Sequence, residues 1–70
     1  MKDIKVGDRF IYNVDFLDKS VVRKTKIRVK VVRKVADDIF KAIIDEPDPI
    51  YKFEWTVINK HTINSFEKLD

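Results

Sequence analysis

Cysteine is absent from this 70-residue chain, and glycine, histidine and proline are scarce, with one, one and two copies. Without thiols, neither a disulfide framework nor a thiolate metal site can make up for a small core, so apolar packing and strand ladders must hold the fold. His61 has no second imidazole at metal-ligand spacing, which leaves it a surface or capping role. A lone glycine excludes a glycine-rich phosphate loop, and there is no Ser-His-Asp set and no carboxylate pair in an evident cleft. These gaps point to a protein that is no enzyme and carries no cofactor. No apolar run approaches the roughly 20 residues of a membrane-spanning helix, and Met1 to Ile11 lacks the apolar stretch of a signal peptide. The expectation is a cytoplasmic protein without membrane contact.

Apolar residues, in contrast, are plentiful: they make up 44% of the chain, with five Phe, two Tyr and one Trp among them. Each fully buried side chain of Phe or Ile size contributes roughly 1.5 to 3 kcal/mol, so one core is within reach and disorder is not expected. Residues 1–70 read as a single domain. A chain of this length buries only about 60% of the surface its unfolded form exposes, so its stability should be marginal.

Fifteen basic residues face twelve acidic ones for a net charge of +3, but the two signs are segregated. Lys19, Arg23, Lys24, Lys26, Arg28, Lys30, Arg33 and Lys34 occupy a stretch without one Asp or Glu, and Asp37, Asp38, Asp45, Glu46, Asp48 and Glu54 follow it. In an extended strand Lys24, Lys26, Arg28 and Lys30 go to one face, and Thr25, Ile27 and Val29 to the other. One face is cationic and its reverse seeks a core. DNA presents a negative charge per about 1.7 Å of helix axis, so four cations over roughly 20 Å of strand can meet several phosphates, with Arg23, Arg33 and Lys34 extending the field. The blander account is a solvated strand face whose lysines discourage edge-to-edge pairing.

Strand signals run along the whole chain. Val6-Gly7-Asp8 reads as a turn delivering a strand in which Phe10, Tyr12, Val14 and Phe16 share one face. Leu17-Asp18-Lys19-Ser20 reads as a hairpin connection. The next strand, Val21 to about Val35, is too long to stay straight in so small a domain, and the adjacent apolar pair Val31-Val32 marks a bulge where it bends. After a turn at Ala36-Asp37-Asp38, Ile39 to Ile44 is apolar on both sides, as a central strand would be. Asp45-Glu46-Pro47-Asp48-Pro49 cannot continue a ladder and reads as an exposed acidic loop. Its carboxylates lack the glycine of an EF-hand pattern, so a solvated turn is favoured over a cation site.

From Ile50 to Ile58, Tyr51, Phe53, Trp55 and Val57 alternate with Lys52, Glu54 and Thr56, which predicts aromatics inward and polar residues outward. Were Trp55 exposed instead, the same alternation would read as a stacking platform for bases. Ile63, Phe66 and Leu69 are spaced as in a helical turn capped by Thr62 or Asn64, while a last short strand from Phe66 is the alternative. Ile11, Ile39, Ile43 and Ile58 fall on faces read as outward. Either Ile4, Val6, Ile63, Phe66 and Leu69 from the two ends cover them, or they form an apolar patch for a partner.

Lys5-Val6-Gly7-Asp8-Arg9-Phe10 leading into an alternating strand, with a closing Ile63-Asn64-Ser65-Phe66-Glu67-Lys68-Leu69, resembles the ends of small Src-homology-3-like barrels of phages and mobile elements. The resemblance implies a helical turn near Asn64 before a last strand that pairs with the first. The long, lysine-rich second strand departs from the usual pattern of that group.

The expected fold is all-β: a small, strongly bent antiparallel sheet or Src-homology-3-like barrel of four to five strands with a short C-terminal helical turn. The expected function is a non-enzymatic binding module, a monomer or weak homodimer, that docks a polyanionic partner through Arg23, Lys24, Lys26, Arg28, Lys30, Arg33 and Lys34. Nucleic-acid backbone is the leading partner. The alternative is a phage-encoded inhibitor that uses the same strand to occupy an acidic surface on a host or defence protein.

Overall fold

The computed structural model describes residues 4–46 and 53–69. Its strands are β1 (Arg9–Asp18), β2 (Val21–Ala36), β3 (Ile39–Ile44), β4 (Trp55–Ile58) and β5 (Phe66–Leu69), with a 3-10 turn, Ile63–Ser65, before the last. All are antiparallel and form one sheet in the order β4-β3-β2-β1-β5. The fold is all-β, as the alternation predicts, and the last strand pairs with the first. Among the described residues the two outer strands, β4 and β5, share no ladder, so the sheet is open along that seam.

The chain enters β1 through Gly7, whose φ of +99° lies in the left-handed region. A Cβ there would meet no atom within 4 Å, so what the position requires is the backbone conformation itself. The Gly7 N–H donates to the Val31 carbonyl at 2.8 Å, and the Val31 N–H donates to the Asp8 carbonyl at 2.8 Å. This turn is therefore clamped onto the middle of β2. At the other end of β1 the hairpin turns on two residues, Lys19 and Ser20, with φ of 52° and 67°. Positive φ at both positions is the signature of a primed hairpin turn, whose twist suits the flanking strands. The turn is thus tighter than the four-residue connection the sequence predicts.

Sixteen extended residues would reach about 50 Å, whereas the longest dimension of the molecule is 36 Å, so β2 bends. The register against β3 slips between Val31 and Arg33 and again between Lys34 and Ala36. The first slip leaves Val32 as the extra residue, the bulge expected from Val31-Val32. Only residues Val29 to Ala36 of β2 pair with β3, and only Arg9 to Tyr12 of β1 pair with β5. The rest of the first hairpin, Asn13 to Asp18 against Val21 to Lys26, is a two-stranded arm.

The core consists of Phe10, Ile27, Val29, Val31, Phe40, Ala42, Ile58 and Phe66, with Ile4, Tyr12, Val14, Phe16, Ile44 and Ile63 packed against it. Phe66 sits edge-on to Phe10 at 6.1 Å and stacks on Tyr12 at 4.6 Å between ring centroids. These contacts seat the last strand on the first, each such aromatic pair adding roughly 0.5 to 1.5 kcal/mol beyond its buried area. Thr62 is the N-cap of the 3-10 turn but makes no side-chain cap bond to it. Its hydroxyl instead donates to the Val57 carbonyl at 3.0 Å and accepts from the Asn59 N–H at 2.9 Å.

Two expectations about faces are overturned in β4. Trp55 is 53% exposed and Phe53 67%, while Ile58 is fully buried; Tyr51 lies outside the described residues. A slip of one residue sends a whole strand to the opposite face, and the adjacent apolar pair Val57-Ile58 permits either choice. Pairing of Ile58 with Phe40 and Thr56 with Ala42 selects the one that buries Ile58. Of the end residues expected to cover the outward isoleucines, Ile4, Ile63 and Phe66 pack on the core side and Val6 is exposed, while Leu69, opposite Arg9, shares the outer face with Ile11. No helix among the described residues is long and apolar enough to cross a membrane.

Candidate functional site

Directly opposed residues of an antiparallel pair share a face, so the ladders map the outer surface. Lys24, Lys26, Arg28 and Lys30 stand opposite Asp15, Asn13, Ile11 and Arg9. Beneath them Ile27 and Val29 are buried. The four cations of the stripe lie on one face, and the apolar residues between them anchor the strand. Arg33 joins this face beyond the bulge through its pairing with Lys41. Arg23 and Lys34 do not: they oppose Phe16 and Phe40, on the reverse side, where each is exposed. Arg23 pairs with Asp18 at 3.3 Å and Lys34 with Asp37 at 3.8 Å.

Carboxylates reach part of the stripe. The Asp45 N–H donates to the Arg28 carbonyl at 2.8 Å, which extends the β2–β3 ladder and brings the start of the acidic loop against the basic face. There Glu46 meets Arg28 at 3.1 Å and Asp45 meets Arg9 at 3.5 Å. Asp45 and Glu46 thus fold back onto cations instead of forming a purely solvated turn; Asp48 lies outside the described residues. On the other flank Glu67 of β5 stands 4.0 Å from Lys26. Both partners of the Arg28 and Lys26 pairs are more than half exposed, so water and salt screen these contacts.

Among the described residues no ion pair involves Lys24, Lys30, Arg33 or Lys41. Three of these converge. Lys30 opposes Ile43, which opposes Trp55, giving one row across β2, β3 and β4; the next outward row is Arg33, Lys41 and Val57. The Lys41 ammonium lies over the Trp55 ring, 5.2 Å from its centroid, a cation–π contact that orients the indole. The result is a face about three strands wide on which a half-exposed indole and two aliphatic side chains alternate with three cations. Lys41 is absent from the residues the sequence singles out, whereas Ile43 appears there as an outward isoleucine and Trp55 as a base platform only on condition of its exposure, which the structure meets at 53%. The outward direction of Lys41 and Ile43 was readable from alternation, but their place beside Lys30 depends on cross-strand register.

Two other features flank this face. At the end of the hairpin arm Leu17, Val21 and Val22 are 74%, 54% and 62% exposed. A shallow hollow of about 240 Å³ lies between the β2–β3 turn and the β4–310 connection, lined by Asp37, Asp38, Ile39, Asn59, Lys60 and His61. His61 is exposed and its backbone N–H donates to Asn59 Oδ1 at 2.8 Å, so it serves the loop as a turn residue. No group of three or more potential metal ligands occurs among the described residues.

Comparison with protein-family models, with curated proteins and with solved structures gives no match.

Proposed function

We propose that this protein is a non-enzymatic module that binds nucleic-acid backbone on the outer face of its sheet. One observation carries the reading: Lys24, Lys26, Arg28 and Lys30 share that face above buried Ile27 and Val29. A strand anchored from beneath holds its cations at the strand repeat of roughly 7 Å between same-face residues, close to the spacing of successive phosphates. Arg33 and Lys41 widen the field, while Arg23 and Lys34 act only at long range from the other side. Phosphates arriving at Lys26 and Arg28 would displace Glu67 and Glu46, an exchange of one screened ion pair for another that costs little.

Titration of fluorescently labelled random DNA and RNA tests this. Four duplex phosphate contacts give a slope of log affinity against log salt near −3.6, roughly a hundredfold loss between about 50 and 200 mM salt. Lys26→Glu combined with Arg28→Glu should abolish binding with the melting temperature nearly unchanged. A second reading, a module that binds an acidic protein surface, draws on the exposed Leu17, Val21 and Val22 at the arm tip, which would supply apolar anchors beside the cations. It prevails if nucleic acid is ignored at low salt and one acidic protein partner is bound in a manner that Leu17→Asp disrupts.

A further inference from the structure

We infer that the strand bound is single, with one of its bases stacked on Trp55. The inference rests on the nucleic-acid reading above and adds the chemical class of the ligand. A duplex offers the outside of its phosphate backbone, for which a purely cationic stripe is sufficient; it has no use for an exposed indole. An unpaired strand offers both phosphates and base faces, and its binding sites combine aromatic platforms with cations that track the backbone.

The outer face supplies both kinds of contact in adjacent rows. Trp55 is half exposed although Lys41 already lies over its ring. Lys41 beside it on β3 and Lys30 and Arg33 two strands away on β2 have no ion pair among the described residues, so this side of the face keeps three uncompensated cations. Ile43, 39% exposed, lies between Trp55 and Lys30 in the same row and offers an apolar floor to the sugar or base of a neighbouring nucleotide. Asp45 and Glu46, which follow β3 directly, are engaged by Arg9 and Arg28, while Glu54 precedes Trp55 in the chain and is exposed. Strand separation of about 4.8 Å makes the three-strand patch roughly 10 Å wide, room for two or three nucleotides.

Trp55 is the only tryptophan of the chain, so its fluorescence reports the contact directly. The probe is a thymidine oligonucleotide of about ten nucleotides, within the site sizes of small single-strand modules, compared with a duplex of the same length. The expected result is quenching by the single strand, tighter binding of it than of the duplex, and a salt slope of about −2 or steeper, Lys30, Arg33 and Lys41 giving about 0.7 each and the rest of the stripe adding to it. Trp55→Ala should weaken single-strand binding about tenfold or more, Trp55→Phe should restore part of the loss, and Lys41→Gln should flatten the slope by about 0.7 while keeping the preference for single strands. Circular dichroism of each variant checks that the fold persists. Duplex binding as tight as single-strand binding, with unchanged fluorescence and full retention in Trp55→Ala, overturns the inference and leaves backbone docking standing. No binding of either probe at low salt overturns both.

Discussion

The two halves of β2 differ: the first alternates without a break against β1, and the second slips twice against β3. From Val29 to Ala36 the strand pairs with β3, with β1 on its other side only at Val29 and Lys30 and the Gly7–Asp8 turn at Val31, and its inward side chains Val29 and Val31 are fully buried. From Val21 to Lys26 it has only β1 beside it, and Val21 and Val22 remain more than half exposed. Alternation decides which face a side chain takes; whether the rest of the core packs on that face decides whether it is covered, as Ile27 and Val31 are buried with one paired strand each. The charges differ as well. Lys24 stands opposite Asp15 and Lys26 reaches Glu67, whereas Lys30 and Arg33 stand beside Ile43 and Lys41. The basic stripe is thus continuous in sequence but weighted toward one end in space.

The largest test of this contrast is mechanical. Ile27 is 2% exposed at the junction of the halves, and Ile27→Ala should remove about 2 to 5 kcal/mol of stability by urea denaturation, enough to unfold much of a domain this small. Leu17→Ala and Val22→Ala at the arm tip should stay within about 0.5 kcal/mol of the parent. Equal losses at both places would mean that the arm is packed after all and that the two halves are one cooperative unit.

A smaller effect is expected at the turn that closes the arm. Lys19 and Ser20 both hold positive φ, which costs a side-chain-bearing residue about 1 kcal/mol or more relative to glycine or asparagine. Replacing them by Asn-Gly should stabilise the protein by about 1 kcal/mol, raising the melting temperature by roughly 4 to 8 °C. Because the turn lies at the far end of the arm from Trp55, fluorescence and ligand affinity should not change. A stabilisation that also altered affinity would join the arm to the binding face.

What could be read from the residues alone follows the same division. Strands with one clear polar side, Phe10 to Phe16 and Lys24 to Lys30, declared their faces correctly, and Val31-Val32 declared its bulge. Each is a local property of period two. The β4 segment failed because its outward and inward positions are both apolar at Val57-Ile58, so only the ladder to β3 could choose. Trp55 then left the core, which closes around Phe10, Phe40 and Phe66 without it. The cationic stripe was legible from a single strand; the patch of Lys30, Arg33, Lys41 and Trp55 was not, since it runs across three strands and exists only in register. The pairing of Arg28 with Glu46 was hidden for the same reason, as it needs Asp45 to extend the β3 ladder onto Arg28.

The smallest expected effect addresses those carboxylates and would sharpen the comparison of charges. If Glu46 and Glu67 only screen Arg28 and Lys26, then Glu46→Gln and Glu67→Gln each remove a competitor for phosphate. Interaction energies near 1 kcal/mol at about 4 Å in water correspond to a gain in nucleic-acid affinity of about two- to fivefold at low salt, fading as ionic strength rises. The gain should be larger for Glu46→Gln, because its carboxylate is 3.1 Å from Arg28 against 4.0 Å between Glu67 and Lys26. Arg28 is the same-face neighbour of Lys30, so its freed guanidinium would add to cations that have no carboxylate partner among the described residues. Stability should hardly move, since both glutamates are exposed. Unchanged affinity in both variants would place the bound phosphates away from Lys26 and Arg28, and would confine the contact to the rows around Lys30, Lys41 and Trp55.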